Sequence, residues 1–129
     1  MKYVVDTHAL VWFLEDNRRL SKPAKAVLLD SSSEIVIPTI VLAETKFLFA
    51  KQRINIDLPS LYRRMVAARN CSVYPLDESV IDHMPTSLEI HDAIIVGTGL
   101  VIEKIFNEKV AVVTRDEAIG ESGLINTLW

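Results

Sequence analysis

The chain has 129 residues, half of them hydrophobic and 24 % charged, with a net charge of −3 and a single cysteine. That length allows one domain over residues 1–129 with a core that needs no staples, and the lone Cys71 excludes an intrachain disulfide and suits a reducing cytoplasm. No apolar run reaches a membrane span, and Asp6 falls where a signal peptide would need its apolar core.

Tyr3-Val4-Val5 reads as a buried strand that stops abruptly on Asp6. Ala9 to Leu14 then has the apolar density of a helix against a sheet, with Thr7 as its expected N-cap. An acid where a strand hands over to a helix lies where open α/β sheets bind ligands, although a turn or capping aspartate reads equally well there. Ser21 with Pro23 starts a second helix, and the serines 31–33 form a loop with no base at a catalytic spacing. Glu34 to Ile37 is the second strand, ended by Pro38.

The helix predicted from Thr39 to about Arg53 places Ile40, Val41, Phe47 and Leu48 on the face of Glu44. A carboxylate in an apolar stripe must be neutral, paired with a cation such as Lys51, or bound to a metal. Leu42 and Phe49 form a second stripe, read as a subunit or partner contact or as deeper burial in the same core. Pro59-Ser60 opens a further helix, Cys71 to Leu76 is a short third strand, and Asp77 caps a small helix ended by Pro85.

Leu88 to Val96 begins a helix apolar nearly all round, with Gly97 and Gly99 best explained by close packing against the sheet. Asp92 lies in its first turn, favoured by the helix dipole whatever else it does. Val110 to Val113 is a uniformly apolar fourth strand running into Thr114-Arg115-Asp116, the same ending as the first strand. Leu124 to Trp129 completes the set as an edge strand. Strands alternating with helices predict a three-layer α/β/α sandwich around a central, mainly parallel sheet.

Two strand ends and two helices therefore supply Asp6, Glu44, Asp92 and Asp116, able to meet beyond the C-terminal edge of the sheet. Gathered carboxylates repel one another unless a cation joins them, and hard oxygen donors select Mg²⁺ or Mn²⁺. Three histidines and one cysteine show no zinc-ligand spacing. Setting those four acids aside turns the net charge from −3 to +1, so global charge neither supports nor excludes a nucleic acid. The cationic clusters Arg18, Arg19, Lys22, Lys25 and Arg63, Arg64, Arg69 read as solvated helix faces.

The ordered set Asp6-Thr7-His8-Ala9-Leu10-Val11-Trp12, Glu44, His91-Asp92-Ala93-Ile94-Ile95-Val96 and Thr114-Arg115-Asp116 resembles the PIN-domain ribonucleases. Among them it is most similar to the VapC-type toxins of toxin–antitoxin pairs. The resemblance implies that Asp6, Glu44, Asp92 and Asp116 hold divalent metal, with Thr7 and Thr114 orienting those ligands or a water. It implies RNA phosphodiester hydrolysis, a small antitoxin as partner and a homodimer. Ala93 stands where arginine is common in the family, and His8 and His91 read as packing and capping residues. Two alternatives remain: a receiver-like phosphoacceptor domain, whose adjacent acids and terminal lysine are missing here, and a catalytically silent interaction module of the same fold.

Overall fold

The computed structural model describes residues 1–129. In chain order the elements are β1 (Lys2–Val5), α1 (Thr7–Leu14), α2 (Lys22–Leu29), β2 (Glu34–Pro38), α3 (Thr39–Ala50) and α4 (Leu58–Ala68). They continue with β3 (Cys71–Tyr74), α5 (Glu78–His83), α6 (Ile90–Phe106), β4 (Val110–Val113), α7 (Glu117–Ser122) and β5 (Asn126–Leu128). The five strands form one sheet in the order β3-β2-β1-β4-β5, with every pairing parallel. Parallel neighbours need crossovers, and right-handed ones put α1 to α4 on one face and α5 to α7 on the other.

The two central strands are buried on both faces, which is why they read as continuous valine-rich runs rather than alternations. Val4, Val5, Val110, Val112 and Val113 are fully buried. Burying one valine side chain stabilises by roughly 1.5–3 kcal/mol, so this strip of the sheet is a large part of the core.

Strand order also decides between fold alternatives. A receiver-like sheet sets its third strand beside its first, whereas here β1 lies between β2 and β4 and β3 is an edge. The receiver reading is therefore overturned by topology. In the order found here the chain reverses direction between β1 and β4, and the crevice beyond those two strand ends is the place for a ligand.

Local chemistry corrects several expectations. Asp6, not Thr7, caps α1: its Oδ1 accepts from Ala9 N at 2.8 Å, and Thr7 is the first helical residue, buried beneath it. The stripe around Glu44 does not stay buried, since Phe47 is 67 % exposed and Glu44 itself is half-buried. Of the second stripe, Leu42 packs against the core while Phe49 remains exposed. Gly99 lies against the sheet, where a Cβ would collide with Ile125 and touch Val112 and Val4. Gly97 instead faces α5, where a Cβ would come within 3.0 Å of the Val80 carbonyl oxygen. No helix is long and apolar enough to cross a membrane.

Candidate active site

The site begins with the register of β1 on β4. Val5 pairs with Val113, so the residues after each, Asp6 and Thr114, leave the sheet side by side. Asp6 N donates to Val113 O at 3.2 Å, and the Thr114 hydroxyl donates to Asp6 Oδ2. That same hydroxyl accepts from Asp116 N at 3.0 Å, tying the two strand ends together. Asp116 caps α7 through Oδ1, which accepts from Ile119 N at 3.1 Å. Both aspartates at the strand ends are thus capping residues that also line the cavity, so the capping reading of Asp6 does not displace it from the candidate site.

Glu44 reaches the site from α3, where the Thr7 hydroxyl donates to its Oε1 at 3.1 Å. Asp92 enters from the first turn of α6, just past Glu89, whose carboxylate caps that helix by accepting from the His91 and Asp92 amides. These residues line one cavity of about 430 Å³ beyond the C-terminal edge of the sheet. All four predicted acids are in it, with Thr7 among the walls and Thr114 directly behind Asp6. His8 rests against Trp12 and His91 Nδ1 lies 3.3 Å from the capping Glu89 carboxylate, and both histidines line the cavity.

Electrostatics show that the acids feel one another. Burial pushes the Asp6 carboxyl up from its ordinary value, against the hydrogen bonds from Thr114 and Ala9 and the nearby His8 that pull it down, while Asp116 adds to the rise. Asp92 is pushed up to about 6, first by burial and then by repulsion from Asp116, Glu89, Asp6 and Glu44. None of the four predicted acids forms an ion pair; those of the chain are Lys2 with Glu34 and Glu108, Lys25 with Asp16, and His91 with Glu89. Lys51 is therefore not the partner of Glu44.

The donor set suits a hard divalent cation: clustered carboxylates, no competing side-chain cation within ion-pair range, and no soft ligand. As the side chains stand, however, no three of them converge at ligating distance on a common point. Three of the four are drawn toward their own donors, Asp6 to Ala9 and Thr114, Glu44 to Thr7, Asp116 to Ile119, and mutual repulsion acts in the same sense. The cavity gathers the acids around one space without fixing a coordination geometry.

Sequence reasoning did not place Glu89, Arg19, Arg115, Trp129, Trp12 or Ile95 at the site, and His8 and His91, read as packing and capping residues, line it as well. Arg19 reads in the sequence as part of a solvated helix face. Glu89 could have been found as an N-cap three residues before Asp92, but no sequence signal announces that Trp129 returns to Trp12, 5.9 Å away edge-on.

Comparison with known proteins agrees with this architecture. Curated protein sequences give no match. Among solved structures, VapBC2 from Rickettsia felis bound to a DNA fragment from its promoter contains a chain that superposes with a TM-score of 0.69 at 14 % identity, covering 100 % of this chain and 99 % of that one. At that identity the likeness shows the fold. The family model described as PIN domain matches residues 3–121, a span that takes in β1 from Tyr3 on, β4 and every acid of the cavity. By that match the chain belongs to the PIN domain family.

Proposed function

We propose that this protein is a Mg²⁺- or Mn²⁺-dependent endoribonuclease, the toxin of a toxin–antitoxin pair, that arrests growth by hydrolysing RNA phosphodiester bonds. The observation that carries the reading is the convergence of Asp6, Glu44, Asp92 and Asp116, none with a cationic partner, on one cavity at the switch point of the sheet. PIN domains are generally nucleases, which supports hydrolase chemistry there. RNA is the substrate the family implies, and the VapBC2 neighbour supports a small antitoxin as partner.

In this reading Asp6, Glu44, Asp92 and Asp116 hold the metal. When bound, such an ion polarises a phosphoryl oxygen and makes water a better nucleophile at neutral pH. The chain's own part is positioning. Thr114 and the Ala9 amide fix both oxygens of Asp6, and Thr7 orients Glu44. Asp92, pushed up to about 6 by burial and then by its acidic neighbours in the metal-free protein, is the carboxylate whose charge a bound cation would relieve most. Exposed Phe47 and Phe49 on α3, with Tyr62 and Val66 on α4, supply apolar surface for a homodimer or for the antitoxin.

The test is cleavage of a structured RNA by the purified protein, with EDTA abolishing it and Mn²⁺ or Mg²⁺ restoring it. Expression without a partner should arrest growth, and Asp6→Asn should relieve the arrest. Cleavage that survives excess EDTA ends the metal-dependent reading, and a folded wild type that neither cleaves RNA nor slows growth ends the toxin reading.

A further inference from the structure

One wall of the acidic cavity is cationic and aromatic. Trp12 is only 6 % exposed and is the seat of the cluster. The Arg115 guanidinium lies 4.7 Å from its ring centroid and that of Arg19 lies 5.7 Å away. His8 and Trp129 pack on the same ring. Both arginines line the cavity that holds the four acids, and Arg115 precedes Asp116 in the chain.

A guanidinium beside several carboxylates is strongly drawn into an ion pair. Neither arginine forms one: no carboxylate oxygen comes within 4.0 Å of either, and neither guanidinium donates a hydrogen bond within the chain. The Trp12 face holds Arg115 away from the acids instead. A guanidinium held over an aromatic ring by cation–π attraction and making no hydrogen bond within the chain keeps its N–H groups free, in the fork that matches two oxygens of one phosphate.

We propose that Arg115, seated on Trp12, grips a backbone phosphate of the RNA strand beside the acidic centre, with Arg19 as a second cation along the same path. The inference takes its substrate class from the nuclease reading above. It also accounts for how a polyanion enters a cavity lined by acids: the strand is held by its flanking phosphate on the Trp12 wall. Arg115 is then a substrate-positioning residue whose effect falls on binding.

The experiment compares wild type, Arg115→Ala and Arg115→Lys in steady-state cleavage and in anisotropy titrations of a fluorescein-labelled single-stranded RNA over a salt series, with Ca²⁺ in place of Mg²⁺ for binding. Arg115→Ala should lower kcat/KM about tenfold, mainly through KM. Its log–log salt slope should be flatter by about 0.7, the contribution of one phosphate on a single strand. Arg115→Lys should recover the slope but only part of the KM, because it restores charge and not the fork. A wild-type slope in Arg115→Ala overturns the proposal, including the case where a folding defect merely reduces the active fraction. A wild type that binds RNA but never cleaves removes the nuclease reading and leaves the slopes to decide Arg115. A wild type that does not bind RNA overturns both.

Discussion

Replacing Asp92 by asparagine tests whether burial and the neighbouring acids together penalise its charge, and its sign can be worked in advance. The Asp92 carboxyl is raised from 3.8 to about 6, which at 1.36 kcal/mol per unit corresponds to about 3 kcal/mol. The side chain is partly solvated, so screening reduces this to about 1 kcal/mol. A raised carboxyl favours the folded state while protonated: its contribution is fully present below 3.8 and is lost as pH climbs through about 6. An asparagine at this position is neutral throughout and suffers no such loss. In EDTA the Asp92→Asn variant should therefore melt about 3–5 °C above wild type at pH 7.5. The gap should close as pH falls from about 6 toward 4, and cleavage should be lost. Thermal melts followed by circular dichroism across that pH series decide it. A variant less stable than wild type at neutral pH, or a gap that ignores pH, refutes the reasoning.

Glu44→Gln keeps an oxygen to accept from Thr7 and orphans no cation, so the melt in EDTA should move by no more than about 0.5 kcal/mol while cleavage disappears. A loss of about 3–5 kcal/mol would reveal a cationic partner after all. Thr114→Val removes both the donor to Asp6 and the acceptor for Asp116 N at a residue that is 3 % exposed. It should lower stability by about 1–3 kcal/mol in urea unfolding. Because that hydroxyl holds the Asp6 carboxyl down, losing it should also move the acidic limb of the pH–rate profile upward. An unshifted limb would detach Thr114 from Asp6.

Much of this was legible in the chain because the relevant signals are local. An apolar run cut short by an acid marks a strand end at Asp6 and again at Thr114-Arg115-Asp116, and uniform burial on both faces marks β1 and β4 as central. What stayed hidden depends on contacts between distant residues. The hydrogen bond joining Thr114 to Asp6 spans 108 positions and exists only because Val5 pairs with Val113. Helix periodicity put Glu44 in an apolar stripe, but it cannot tell that Phe47 on the same side faces solvent. Capping was misplaced by one residue at α1 because Asp and Thr are both good N-caps. The burial of Trp12 under Arg115 and Trp129 is a tertiary event with no periodic signature.

The most direct test of the shared acidic site is a calorimetric Mn²⁺ titration of wild type and of Asp6→Asn, Glu44→Gln, Asp92→Asn and Asp116→Asn near neutral pH. The wild type should bind Mn²⁺, and each substitution should weaken binding by about tenfold or more. A wild type that takes up no Mn²⁺, or four variants that bind it as well as wild type does, would contradict the account.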